Sequence, residues 1–385
     1  MHLHLSTWRG LAAGLVSLFV AVGALAQTPV KIGFHAGLTG PAAADGNAAL
    51  AAVKIAVDKA NAGGGIAGRP IDLVVADDQG KPEQMALLVN RLISDDKVSA
   101  VISAGYSAPT RTAAPLFQKA GVPYIAAISA APEVTRAGNF IFRIASVGEV
   151  QGRAGAKLVG DVLRKKRAIL VTVKADFGKT LAAGFKEAAT KYGIEIVKEY
   201  EYSPADRQFG PMIASIKSDN PDVIYATGFF FTGGPFVNQL RAAGVSATVV
   251  GGESFSSQKF IEIAGPAAEG VLITNVIDWG SKQPEVTDFL AEFEKRTGGR
   301  VEAGAAGSNA AASVLIAALR KANSDDPEKL RAALAASDAM TAVGRISFNG
   351  LHEVRKVFPV SIVRNGAWEA FGVIDDMVLL APPEH

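Results

Sequence analysis

The sequence of 385 residues contains no cysteine, which excludes disulfide frameworks, catalytic thiols and thiolate metal sites. The sequence also lacks an excess of charge of one sign, since it contains 39 Lys and Arg and 37 Asp and Glu, which gives a net charge of +2. Nucleic-acid-binding domains are typically far more basic than this. Apolar residues make up 49% of the chain, too many for a disordered protein. The length corresponds to about two domains.

Long apolar runs are absent except at the amino terminus, where Leu11–Leu25 is uninterrupted. Arg9 precedes this run, and Ala24-Leu25-Ala26 supplies the small residues that a signal peptidase requires. The run is shorter than the roughly 20 residues of a transmembrane helix. We therefore predict a signal peptide of residues 1–26, cleaved after Ala26, and an exported mature protein without a lipid anchor.

The mature sequence alternates short β-branched runs with segments of helical periodicity, which predicts an α/β fold with parallel, doubly wound sheets. A first series predicts the strands Val30–Ala36, Ile71–Asp77, Val98–Ala104, Pro123–Ile128 and Phe140–Ile144, with the helices Asn47–Ala62, Glu83–Ile93 and Thr110–Ala120 between them. A second series predicts the strands Ala168–Val173, Glu195–Tyr202, Asp222–Thr227, Thr248–Gly251 and Gly270–Asn275, and the helices Lys179–Tyr192, Pro211–Lys217, Pro235–Ala243, Ser308–Lys321 and Pro327–Ala336.

The carboxyl-terminal segment has a different pattern. It predicts short strands at Arg345–Phe348, Phe358–Arg364 and Trp368–Val373. The pairs Asn349-Gly350 and Asn365-Gly366 separate them and are typical of hairpin turns, so we expect an antiparallel arrangement here.

Motifs of enzymes are largely lacking. Gly63–Gly68 has the spacing GxGxxG, but it follows a helix and precedes a strand, the reverse of the order in a dinucleotide site. The mature chain keeps only His35, His352 and His385, which are far apart in sequence and give no paired-His metal spacing. We therefore expect no catalytic residue, no metal site and no cofactor.

Polar residues do follow several predicted strands, at the edge where open α/β sheets bind ligands. Ser107 lies in the segment Ser103–Thr110, where a strand gives way to a helix, and either caps that helix or contributes to a site for a carboxylate. Ile128-Ser129-Ala130 follows the next strand and could offer N–H groups. Glu253 follows a strand of the second series and either binds an ammonium group or is a solvated loop residue.

Several segments carry a family resemblance, and they occur in order along essentially the whole mature chain. These are Lys31–Phe34, Leu38–Pro41, Asn61–Gly64, Val75–Asp78, Ala131–Thr135, Leu240–Gly244 and Ala268–Gly270. In these segments the chain resembles the periplasmic leucine/isoleucine/valine-binding proteins, the substrate-binding components of ABC importers. The resemblance implies a type I periplasmic binding fold with two Rossmann-like lobes joined by a three-segment hinge. It divides the chain into lobe one (27–147 plus 274–347) and lobe two (148–273 plus 348–385).

The resemblance also implies roles for individual residues. Ser107 matches the serine that binds the ligand carboxylate, Glu253 the acid that binds its ammonium group, and Asp45 an aromatic position beside the ligand side chain. An Asp there could equally cap a helix. The remaining implied site residues are Gly105, Tyr106, Ile128, Ser129, Ala130, Phe177 and Phe229. Ala130 stands where Thr is usual, and the two Phe residues stand where Tyr is usual.

From this we expect a periplasmic, monomeric, non-enzymatic protein that delivers a small neutral amino acid to an inner-membrane ABC permease. Phe177, Phe229, Phe230 and Phe231 leave open a pocket for an aromatic carboxylate, an amide or urea. A periplasmic ligand sensor and a periplasmic hydrolase are the alternatives from other classes.

Overall fold

The computed structural model describes residues 28–384 together with His2. The predicted signal peptide therefore lies almost entirely outside the described residues. Among the residues that are described, no helix is long and apolar enough to cross a membrane.

The first of two large sheets has five parallel strands, which are β1 (Val30–Ala36), β2 (Ile71–Asp77), β3 (Ala100–Ser103), β4 (Tyr124–Ala126) and β5 (Ile141–Arg143). Their order is β2-β1-β3-β4-β5, so the chain winds in both directions from β1. β1 is buried at almost every position because helices cover both faces of the sheet, as its β-branched and apolar composition predicts.

The second sheet begins with β6 (Arg167–Val173), β7 (Glu195–Tyr202), β8 (Val223–Thr227), β9 (Thr248–Gly251) and β10 (Leu272–Thr274). After the separate hairpin β11 (Asp338–Thr341) and β12 (Gly344–Ser347), it is completed by β13 (Phe358–Arg364) and β14 (Ala367–Ile374). The order is β14-β13-β10-β9-β8-β6-β7, in which β13 and β14 run antiparallel to their neighbours.

The helices are α1 (Ala43–Ala62), α2 (Met85–Asn90), α3 (Ser107–Ala120), α4 (Glu133–Arg136), α5 (Gly148–Lys157), α6 (Asp176–Ala189), α7 (Gly210–Asp219), α8 (Phe230–Ala242), α9 (Gln258–Ala264), α10 (Pro284–Thr297), α11 (Ala303–Ala322) and α12 (Pro327–Ala335). On the first sheet, α1 and α11 share a core with one face, and α2 and α3 share a core with the other. The helices α5 to α9 share one large core with the second sheet.

The separate hydrophobic cores divide the described residues into two lobes. The first lobe is the five-stranded sheet with α1 to α4 and α10 to α12, and the second lobe is the seven-stranded sheet with α5 to α9. The chain crosses between them after β5, after β10 and after β12. This confirms the predicted fold class, whereas the bounds of the lobes at 147/148, 273/274 and 347/348 stay a prediction.

Many helices begin earlier than their apolar periodicity predicts. The starts lie at Ala43 rather than Asn47, Ser107 rather than Thr110, Asp176 rather than Lys179, and Ala303 rather than Ser308. The first turns of these helices border the cleft between the lobes. Small and polar residues stand there in place of the apolar residues whose spacing indicates a helix. The pattern is therefore weakest at the functional edge of the molecule.

The prediction for the carboxyl-terminal segment was partly wrong. Residues 345–347 pair with β11, which the sequence analysis missed, and not with β13. Across Asn349-Gly350 there is only an isolated antiparallel bridge, between Phe348 and Val354. The hairpin at Asn365-Gly366 is confirmed, because it joins β13 to β14 and both residues have positive φ, 52° and 72°. This backbone shape is that of a two-residue type I′ turn.

Candidate ligand-binding site

The cleft between the lobes contains a cavity of about 50 Å³. It is lined by Asp45, Tyr106, Ser107, Ile128, Phe177, Phe229, Glu253, Ser254, Ser256, Glu302, Ala303 and Gly304. The small volume suits a compact solute. A wider groove of about 820 Å³ lies on the first lobe between α1, α10 and α11, and none of the predicted site residues lines it.

The first lobe contributes a helix start to this cavity. β3 ends at Ser103, and α3 begins at Ser107 after a three-residue loop. The first N–H groups of a helix have no partner within the helix, and together with the Ser107 hydroxyl they form a site suited to an anion. Ser107 is the first residue of the helix rather than its cap, since Tyr106 occupies the cap position.

The second lobe contributes an aromatic wall and an acid. Phe177 lies in the first turn of α6, and Phe229 directly precedes α8. Their rings stack 5.6 Å apart, and Phe229 also stacks on Tyr106 of the first lobe with the rings 4.8 Å apart and nearly parallel. Glu253 follows β9 and completes this side of the cavity.

Contacts between the lobes surround the cavity. Nε of Arg111 on α3 donates to Oδ2 of Asp176 on α6 at 2.9 Å. The amide of Ala303 donates to the Ser256 hydroxyl at 2.9 Å, and the Ser257 hydroxyl donates to Glu302 at 2.8 Å. Together with the ring stack of Tyr106 on Phe229, these contacts hold the lobes in a closed arrangement.

Glu253 has an unsatisfied carboxylate. Its Oε2 is buried and has no hydrogen-bond partner within the described residues. Burial raises the pKa of Glu253 to about 7, while the nearby ammonium group of Lys356 acts in the opposite direction. A buried acid without a partner is the arrangement expected where a ligand supplies the missing donor.

The interpretation of Asp45 as a helix cap was wrong. Asp45 lies inside α1, whose cap position is Ala42, and its side chain lines the cavity. The Tyr106 hydroxyl donates to Oδ2 of Asp45 at 2.6 Å. Burial and the neighbouring charge of Glu302 raise the pKa of Asp45 to about 8.

Three predicted site residues do not line the cavity. Gly105 lies behind it, against the side chains of Asp78 and His35. Ser129 and Ala130 are buried, and their carbonyl oxygens accept from Arg143 at 2.8 Å and from the Gly148 amide at 2.9 Å. Phe230 and Phe231 are also absent from the lining, although Phe231 stacks against Phe229.

Glu302 is a lining residue that sequence reasoning missed. It directly precedes α11, which was predicted to begin only at Ser308 because Gly304 and Gly307 interrupt the apolar pattern. Gly307 is there for close packing, since an added Cβ would lie 2.9 Å from the carbonyl oxygen of Ala127. An acidic residue before an Ala-rich helix was the signal that could have identified this position.

A buried polar cluster supports the loop that leads to Ser107. Nδ1 of His35 lies 2.7 Å from Oδ2 of Asp78, and Nε2 lies 2.7 Å from the Tyr124 hydroxyl. The carbonyl of Gly105 accepts from the Thr110 hydroxyl at 2.9 Å. The side chains of this cluster are all buried, so the cluster supports the structure of the loop and does not contact a ligand.

We expect Gly105→Ala to lower the free energy of unfolding by about 1–3 kcal/mol, the usual effect of overpacking. The added Cβ would lie 2.8 Å from Oδ2 of Asp78 and 3.0 Å from Cε1 of His35, both held by hydrogen bonds. Urea unfolding measures the change. Gly350→Ala is the control, because nothing lies within 4 Å of its added Cβ. Equal stability of the two variants would contradict this packing account.

No group of His, Asp and Glu side chains suited to a metal ion occurs among the residues that the structure describes.

The comparison with protein families gives a match to a family described as periplasmic binding protein over residues 29–363. The chain belongs to the periplasmic binding protein family.

Curated relatives match this family member over most of their length. The Leu/Ile/Val-binding protein BraC3 of Rhizobium johnstonii is 31% identical over 347 residues, covering 89% of this chain and 93% of the relative. The leucine-, isoleucine-, valine-, threonine-, and alanine-binding protein of Pseudomonas aeruginosa is 27% identical over 345 residues, covering 89% and 91%.

Solved structures share the fold. The branched-chain amino acid transporter substrate-binding protein of Streptococcus pneumoniae, in complex with isoleucine, has a TM-score of 0.85 at 26% identity, covering 90% of this chain and 99% of that one. A solute-binding protein of an ABC transporter from R. palustris, in complex with benzoate, has a TM-score of 0.82 at 24% identity, covering 91% and 98%. At the latter identity the likeness concerns the fold alone.

Proposed function

We propose that this chain is the solute-binding protein of an ABC importer, which binds a small amino acid between its lobes and delivers it to a membrane permease. The observation that carries the proposal is the pairing of opposite chemistries across one cavity. The first lobe presents the start of α3 with Ser107, and the second lobe presents the unpartnered carboxylate of Glu253. A zwitterion matches both sides at once.

In this proposal the ligand carboxylate accepts from Ser107 and from the free N–H groups of α3, and Ile128 borders it. The ligand ammonium donates to Glu253, and Phe177 and Phe229 enclose it. Tyr106 closes the cavity from the first lobe through its stack on Phe229. Because donors and acid come from different lobes, the ligand stabilises the closed arrangement over an open one. Closure is then the signal that a permease recognises.

The predicted lobe bounds and the predicted signal peptide belong to the same proposal. An importer component of this family works in the periplasm, which agrees with export directed by residues 1–26. We infer a monomer that binds its solute without transforming it. Gly105, Ser129 and Ala130 act behind the cavity, since their groups are engaged with Thr110, Arg143 and neighbouring backbone.

Isothermal titration of the mature protein with a panel of L-amino acids tests the proposal. We expect a 1:1 complex with at least one amino acid of the panel. If none of these amino acids binds, the proposal that the ligand is an amino acid is overturned. The aromatic stack of Tyr106, Phe229 and Phe177 favours an aromatic carboxylate as the second candidate. An aromatic carboxylate would leave Glu253 without a hydrogen-bond donor. Titration with benzoate therefore distinguishes the aromatic-carboxylate candidate from the amino-acid candidate.

We expect amino-acid affinity to fall as the pH is lowered from 7 to 5. Burial raises the pKa of Glu253 to about 7, so the empty site holds a proton below that pH, whereas an ammonium ligand requires the carboxylate. Linkage then weakens apparent affinity by up to about tenfold per pH unit below 7. Titrations at pH 5, 6, 7 and 8 measure this effect. A dissociation constant that stays the same from pH 5 to 7 would contradict the role of Glu253.

A further inference from the structure

The cavity contains more acid than a branched-chain amino acid needs. Asp45, Glu253 and Glu302 line it, and they come from α1, from the loop after β9 and from the residue before α11. No Lys, Arg or His is among the lining residues. The proposed function uses only Glu253, and an apolar ligand side chain would leave Asp45 and Glu302 without a partner of opposite charge.

The acids occupy two separate positions. Asp45 and Glu302 act on each other, since the Glu302 charge helps to raise the pKa of Asp45. The charge that acts on Glu253 is instead that of Lys356. The ligand ammonium therefore has its own acceptor in Glu253, and Asp45 with Glu302 forms a second acidic position in the same cavity.

Local contacts hold this second position in place, and at pH 7 Asp45 holds a proton that it shares with Glu302, since the pKa of Asp45 is raised to about 8. The Tyr106 hydroxyl donates to Oδ2 of Asp45 at 2.6 Å, and the Ser257 hydroxyl donates to Oε1 of Glu302 at 2.8 Å. Oε2 of Glu302 is buried and accepts from no N–H or hydroxyl group within residues 28–384, and its hydrogen bond with Asp45 depends on the proton that Asp45 holds. Burial raises the pKa of Glu302, and the charge of Glu262, another acid, acts in the same direction.

A purely structural role explains this arrangement poorly. Buried acids that serve the fold are paired with a cation, as Glu353 is with Arg143 in this chain. Two oriented carboxyl groups that face a cavity and share only one proton can instead become an acceptor pair when a donor arrives with the ligand and replaces that proton.

We propose that the ligand carries a second nitrogen donor on its side chain, an ammonium or a carboxamide, which Asp45 and Glu302 bind. The substrate class is thus a short polar amino acid, diamino or amide, rather than a branched-chain one. The cavity is small, at about 50 Å³, which favours a short side chain. This inference rests on the proposed function, because Ser107 and Glu253 are taken to bind the α-carboxylate and α-ammonium groups.

Two isosteric pairs of probes test the inference by isothermal titration. L-2,4-diaminobutyrate differs from L-norvaline by an ammonium in place of a terminal methyl, and L-asparagine differs from L-leucine by a carboxamide in place of an isopropyl group. We expect at least one polar member to bind ten or more times tighter than its apolar isostere, because each polar member alone supplies donors to Asp45 and Glu302.

Variants at the second position make the test specific. Glu302→Gln and Asp45→Asn are expected to reduce that preference at least tenfold. Glu328→Gln, at an exposed residue of α12 that pairs with Arg331, is the matched control and keeps the wild-type preference. Thermal melts verify that each variant is folded.

The outcomes separate this inference from the function on which it rests. Tighter binding of L-leucine than of L-asparagine, together with tighter binding of L-norvaline than of L-2,4-diaminobutyrate, would overturn the inference and leave amino-acid binding intact. A polar preference that survives in both Asp45→Asn and Glu302→Gln would overturn the assignment to these residues. Binding of none of the four probes would overturn the inference and the amino-acid function together.

Discussion

Replacing Glu253 with Gln is expected to weaken amino-acid binding by about 3 kcal/mol, or roughly 100-fold in Kd. The carboxylate is enclosed, and its Oε2 has no other partner among the described residues. In the variant the ligand ammonium would be buried against a neutral amide, which accepts a hydrogen bond but supplies no opposite charge. Isothermal titration with the tightest-binding amino acid of the panel measures the loss.

A matched control separates this effect from a general loss of acidic charge. Glu262→Gln removes one carboxylate from the exposed surface of α9, where Lys259 pairs with it at 2.6 Å. We expect this change to leave Kd within a factor of two. If Glu253→Gln binds as tightly as Glu262→Gln, the ammonium is held elsewhere in the cleft.

Glu353→Gln is expected to lower the free energy of unfolding by about 3–5 kcal/mol, because it leaves the charge of Arg143 buried and uncompensated. Nε of Arg143 lies 2.9 Å from Oε2 of Glu353, and its Nη2 donates to Oε1 at 3.1 Å. The Arg143 side chain is fully buried, so water cannot replace the lost carboxylate. Urea unfolding monitored by circular dichroism measures the change.

This ion pair also joins two of the crossings between the lobes, and Arg143 additionally donates to the carbonyl of Ser129. Glu369→Gln is the control, since its pairing with Arg364 at 4.0 Å is exposed and is expected to contribute less than about 1 kcal/mol. The double variant Arg143→Met/Glu353→Leu should recover part of the stability, because it removes both buried charges. A double variant less stable than Glu353→Gln would contradict the account of an uncompensated charge.

The central strands of the two sheets were predictable because they are buried on both faces. Val223–Thr227 is an uninterrupted run of buried residues, and only a parallel strand between helix layers accounts for such a short run. Strand β11 was missed because Asp338–Thr341 is short and only partly buried, and therefore has no apolar alternation to detect.

The candidate site was predictable where side-chain chemistry follows a strand. Ser107 and Glu253 each follow a buried strand closely, so the rule for open α/β sheets places each of them at the ligand-binding edge of its own sheet. Asp45 and Glu302 were harder, because both lie at helix starts whose first turns lack the apolar periodicity. Their proximity to each other depends on α1 and α11 packing together on one sheet, which no local pattern of the sequence encodes.

The central claim is that this chain holds one amino acid between the start of α3 and Glu253. Native mass spectrometry of the protein purified from its periplasm, under conditions that retain the ligand, tests it most directly. The account predicts one retained molecule per chain with both an α-carboxylate and an α-ammonium group, and its loss in Glu253→Gln. A retained ligand without an ammonium group, or equal retention by Glu253→Gln, would contradict it.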